Sequence, residues 1–132
     1  MSKEKKIKVA IQMDKLNKIN KDTDSTLALI QEAIKRKFSV FIYNVGNLYF
    51  ENNELKAIAN NVLSINIQNE RFLTLDKTQV INLKNFEFIL IRQDPPFNME
   101  YITATYLLER LPASCTVLNK PKSIRDCPEK LF

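Results

Sequence analysis

Histidine and tryptophan are absent from this 132-residue sequence, and glycine occurs once, at Gly46. Without histidine there is no imidazole for proton transfer near neutral pH, no Cys–His or Ser–His nucleophile pair and no histidine-based metal site. A single glycine also excludes the dinucleotide fingerprint and the P-loop. Both need several glycines to bring backbone N–H groups against phosphates. Any ATP that serves this sequence must be held by something other than these residues. Cysteine is scarce as well: Cys115 and Cys127 lie twelve positions apart and fit no metal spacing. They read as reduced thiols without a redox role. No apolar run approaches the roughly 18 residues of a membrane span. The opening "MSKEKKIKVAIQM" has an apolar run too short for a signal peptide and reads as a first strand, which points to the cytoplasm.

What is present describes an ordinary globular chain. Hydrophobic residues make up 45% and charged residues 27%, and the length suits one domain, 1–132. The net charge of +5 is unevenly placed. Seven lysines within residues 1–21 face only Glu4 and Asp14, whereas residues 22–132 balance thirteen basic against thirteen acidic side chains. A phosphate-tracking surface needs clustered cations on the folded body, so nucleic acid is not an expected partner.

The hydrophobic pattern alternates between strand and helix. "KVAIQM" (8–13) reads as a strand, followed by a polar loop to Lys21. Asp22 to Ser25 are four consecutive capping-type residues. Leu27, Ile30, Ala33 and Ile34 follow at helical spacing, and Lys35, Arg36 and Lys37 suit the negative end of the helix dipole. "FSVFIYN" (38–44) is a second strand, parallel to the first across a right-handed crossover. Between 45 and 85 the sequence reads as a β-rich insertion or sheet edge, with a hairpin around Asn52 and Asn53. "FEFILIR" (86–92) has the near-continuous apolar character of a strand covered on both faces. A helix is expected over 99–111, with Asn98 as N-cap and a Phe97–Ile102 staple, then a strand over 116–119.

This order predicts a doubly wound α/β domain, a mostly parallel sheet flanked by helices. Such sheets bind ligands beyond the carboxyl ends of their strands. Three loops occupy those ends: 14–25, 92–98 and 119–123. Arg92 offers a fixed fork of donors suited to a carboxylate. Asp94 either orients Arg92 or accepts from a ligand amine. Ser25 and Thr26 open a helix, where free N–H groups favour an anion. Together with Asp14 and Asn119, these residues favour a zwitterionic ligand such as an amino acid or short peptide. A purely structural reading stands beside each. Arg92 with Asp94 reads equally as an ion pair tying down a turn, Ser25 and Asp22 as caps, Asp14 as a plain loop residue, and Tyr101 and Tyr106 as core-facing.

"RQDPPFNMEYITATYLLER" (92–110) and "NKPKSIRDCPEKLF" (119–132) resemble the two signature stretches of bacterial glutathione synthetase. "IQMDKLNKINKDTDSTLALIQEAIKRK" (11–37) is similar to that family's opening segment, including its Met-Asp step and Asp-Ser helix start. The resemblance is weak between about 45 and 85. Gln93, Asn98 and Lys15 depart from the family's lysine, aspartate and proline. The resemblance implies a Rossmann-like, N-terminal pre-ATP-grasp domain of an enzyme that joins γ-glutamylcysteine to glycine through an acyl phosphate. It further implies ATP and magnesium (or manganese) bound by ATP-grasp domains following Phe132, and a homo-oligomeric full enzyme. The 132 residues alone are then expected to bind no cofactor and to be inactive. A free-standing small-ligand binding or protein-interaction domain is the alternative.

Overall fold

The computed structural model describes residues 6–16, 25–92 and 99–118, with side chains outside the description at 99–102 and 105. The described residues form seven strands and two main helices. They are β1 (Lys8–Gln12), α1 (Ser25–Lys35), β2 (Ser39–Tyr43), β3 (Leu48–Glu51), β4 (Glu54–Ile65), β5 (Leu73–Asn82), β6 (Phe88–Ile91), α2 (Met99–Leu108) and β7 (Thr116–Leu118). One sheet contains all seven, in the order β3-β4-β2-β1-β6-β7 with β5 also on β4. The strands β2, β1, β6 and β7 are parallel, as expected for a doubly wound sheet. The antiparallel β3–β5 segment is the expected insertion. Ala57 pairs with both Leu48 and Ile81, and Asn60 with both Ile42 and Thr78. It follows that β2 and β3 share one edge of β4, while β5 takes the other.

Each helix covers one face of the sheet. On the α1 side, Val9, Ile11 and Met13 of the first strand and its exit pack with Leu27, Ile30 and Val40. On the α2 side, Ala10, Ile89 and Ile91 pack with Leu108, Phe86 and Cys115. Residues 9–12 of β1 are all buried, which accounts for its lack of apolar–polar alternation. The strand β6 departs from the expected burial on both faces. Ile89 and Ile91 are buried, but Phe88 on the α1 side is 36% exposed.

Two turns show how a glycine-poor chain reverses direction. The backbones of Asn52 and Asn53 have φ of 53° and 63°, so the β3–β4 hairpin closes on a two-residue turn with both central residues left-handed. At the end of α1, Lys37 (φ 64°) occupies the left-handed position that usually takes glycine. There Phe38 N–H donates to Ala33 O at 3.0 Å and Lys37 N–H to Ile34 O at 2.9 Å, satisfying the last carbonyls of the helix.

Two expected helix ends come earlier: the first helix ends at Lys35 and the second at Leu108. One assignment is reversed. Tyr106 was expected to face the core, yet it is 56% exposed. Among the described side chains of α2, the buried ones are Ala104 and Leu108, one turn apart, and Tyr106 lies away from them. The Asn98 cap, the prolines 95 and 96 and the Phe97–Ile102 staple lie outside the described residues, as does Cys127. No helix among the described residues is long and apolar enough to cross a membrane.

Candidate functional site

The strand order reverses between β1 and β6: from β1 the chain first builds outward through β2, and later builds the other way through β6 and β7. At such a reversal the loops leaving the two strands diverge and open a crevice at their carboxyl ends. Arg92 is the residue that leaves β6, and its backbone N–H donates to Gln12 O of β1 at 2.8 Å. Its side chain lies toward α1, where Arg92 Nη2 donates to Ser25 Oγ at 2.5 Å. Two residues 67 positions apart are thereby joined at the reversal point.

Three features make this junction suited to an anion. First, Ser25 begins an 11-residue helix, and the leading N–H groups of a helix carry partial positive charge. Second, none of the residues in the first described turn of α1 is acidic. Third, Arg92 Nε is buried and has no hydrogen-bond partner among the described residues. A buried donor left unpaired costs about 1–3 kcal/mol, and a ligand oxygen would recover it. A guanidinium and a helix N-terminus together favour a carboxylate that accepts from both.

Beneath the crevice, on the α2 side, a polar pair is sealed inside the sheet. Gln12 is fully buried, and Tyr43 Oη donates to its Oε1 at 3.1 Å. Burial, with a smaller contribution from the nearby Cys115 thiol, drives the Tyr43 hydroxyl far above its ordinary pKa, so it remains a donor. The Cys115 thiol is itself pushed up to about 11, chiefly by burial and secondarily by Glu87, and its Sγ lies 3.3 Å from Leu83 O. This cysteine is a free, buried side chain with an unreactive thiol, as the sequence suggested.

Beside the reversal point, a cleft of about 320 Å³ lies past the carboxyl ends of β1 and β2. Asp14 and Lys15 line it from the loop after β1, Asn44 and Asn47 from the segment after β2, and Ile58 and Asn60 from β4. Asn44 Nδ2 donates to Met13 O at 2.9 Å and so ties the two loops together.

Of the residues singled out in the sequence, Arg92 and Ser25 meet directly, and Asp14 lines the adjoining cleft. Asp94 and Asn119 lie outside the described residues. The first reading of Arg92 as a strand-end donor is thus joined to an observed partner, Ser25, while its pairing with Asp94 falls outside the description. Sequence reasoning missed Gln12, Asn44, Asn47 and Asn60. A usable signal existed for two of them: Gln12 and Asn44 are polar residues at the carboxyl ends of apolar parallel strands, where function concentrates.

The family described as the N-terminal domain of prokaryotic glutathione synthetase matches residues 7–125. The chain belongs to that family. Glutathione synthetase of Buchnera aphidicola subsp. Schizaphis graminum is 40% identical over 133 aligned positions, covering 100% of this chain and 41% of the relative. The enzyme of Rhodopseudomonas palustris is 38% identical over 126 positions, and that of Escherichia coli K12 39% over 127; each alignment covers 96% of this chain and 40% of the relative. The chain therefore spans about 40% of the length of the curated relatives it matches. Members of the glutathione synthetase N-terminal family are matched across the antiparallel insertion as well as the parallel sheet.

Proposed function

We propose that this chain is the peptide-substrate side of a glutathione synthetase, in which Arg92 and the Ser25 end of α1 seat a carboxylate of γ-glutamylcysteine. The observation that carries this reading is the Arg92–Ser25 contact at the strand-order reversal, with Arg92 Nε buried beside it and without a partner among the described residues. The helix and the strand are both anchored in the core, so the two donors are held in place before ligand arrives. Little ordering entropy remains to be lost on binding.

In the complete enzyme, ATP with magnesium or manganese would phosphorylate the cysteinyl carboxylate, and the amine of glycine would displace that phosphate, losing a proton, to form the new amide. The described residues do not fit that nucleotide and metal. Gly46 is the single glycine, and no group of three or more metal-capable side chains occurs among the described residues. The roles that remain for this chain are to bind and orient the peptide and to close one side of its cleft. The family likeness supports a cytoplasmic homo-oligomer, with the nucleotide held by ATP-grasp domains.

The test is an activity comparison. The 132-residue polypeptide, supplied with ATP, magnesium, γ-glutamylcysteine and glycine, is expected to form no tripeptide above background, whereas the complete enzyme does. Sustained ATP- and glycine-dependent tripeptide formation by the 132 residues alone would overturn the assignment.

A further inference from the structure

We infer that the cleft lined by Asp14, Asn44, Asn47 and Asn60 seats an amino-acid head group, an ammonium beside a carboxylate, at the opposite end of the ligand held by Arg92. The inference rests on the reading of Arg92 given above and adds a second contact region to it. Volume is the first support. At about 320 Å³ the cleft reaches the lower end of the range for small-molecule sites, which begins at about 300 Å³.

The lining chemistry is the second support. Asp14 is a carboxylate suited to an ammonium, and Lys15 beside it is suited to a carboxylate. Asn60 Nδ2 is committed to Asp76 O at 3.0 Å and Thr78 Oγ1 at 3.1 Å, and Asn44 Nδ2 to Met13 O. With both amide nitrogens engaged, each Oδ1 remains as an acceptor on a side chain already fixed in position. Ile58, 40% exposed, supplies an apolar surface for the methylenes of such a head group.

Placement is the third support. Met13 and Ile42 belong to the core on the α1 side and also line the cleft, and Arg92 reaches α1 itself. Both regions therefore lie along the same carboxyl edge and on the same face. From β6 to β2 is two strand spacings, about 10 Å. An extended dipeptide joined through a side-chain carboxyl spans about the same distance, since two residues cover roughly 7 Å and the longer linkage adds to it. One such ligand can touch both regions.

The experiment uses the complete enzyme with Ile58→Trp, which fills the cleft from an exposed position. Two ligands are compared: γ-glutamylcysteine, through its KM, and N-acetylcysteine, which keeps the cysteinyl carboxylate without the head group, through its inhibition constant. The expected result is a KM raised about tenfold or more, as loss of one charge-assisted contact requires, with the inhibition constant unchanged. An unchanged KM overturns the inference, and so does equal weakening of both ligands. Asn47→Trp, on the facing segment, gives the same readout if Ile58→Trp fails to fold. Failure of the earlier reading looks different, because Arg92→Ala would then leave both ligands unaffected.

Discussion

Replacing Arg92 with alanine in the complete enzyme is expected to raise the KM for γ-glutamylcysteine by about tenfold or more, since a hydrogen bond to a charged group contributes about 1.5–3 kcal/mol. The reasoning starts from the unpaired Nε. Arg92 Nη2 has Ser25, but Nε is buried and has no partner among the described residues. Binding a carboxylate relieves that deficit while adding Coulomb attraction, so the contact gains more than an ordinary surface pair would. Arg92→Lys keeps the charge and loses the planar fork, and is expected to recover only part of the affinity. Steady-state kinetics at saturating ATP and glycine provide the measurement. A purely structural arginine would leave KM unchanged and lower thermal stability instead.

Ile89→Ala is expected to destabilise the fold by about 3–4 kcal/mol, a large share of the 5–15 kcal/mol typical of a domain. Ile89 is fully buried, pairs with Ala10 in the register of β1 and β6, and belongs to the core beneath α2. Its small neighbour Ala10 cannot swell to fill the space. The cavity term should therefore add to the lost transfer energy, with limited collapse. Ile89→Val, which removes one methylene, is expected to cost about 0.5–1.5 kcal/mol. Urea titration followed by circular dichroism measures both. A loss below about 1 kcal/mol for the alanine variant would show that this face packs loosely.

The parallel core was legible because its signals are local and redundant. Apolar runs bounded by charge gave β1, β2 and β6, and the stripe through Leu27 and Ile30 gave α1. Asn52 and Asn53 announced their hairpin because asparagine tolerates positive φ better than most residues. Other features had no local signature. The stop of α1 after Lys35 places Lys37, a residue with no special preference for left-handed geometry, at positive φ. The β4–β5 ladder shifts register between Asn60 and Val62 and again between Val62 and Ser64, which periodicity alone does not reveal. Tyr106 was misplaced because α2 is apolar nearly all round, so sequence pattern gives no inward face; only Ala104 and Leu108 in the core decide it. For the site, Arg92 and Ser25 could be picked out singly, but their contact depends on which strand lies next to β1. That is a property of topology, carried by no short stretch of residues.

Calorimetric titration of the 132-residue chain with magnesium-ATP bears most directly on the division of labour proposed above. Expected is the absence of saturable heat below about 1 mM nucleotide, equivalent to less than about 4 kcal/mol of binding. A stoichiometric isotherm with a dissociation constant in the low micromolar range would contradict it, by showing that these residues hold the triphosphate themselves.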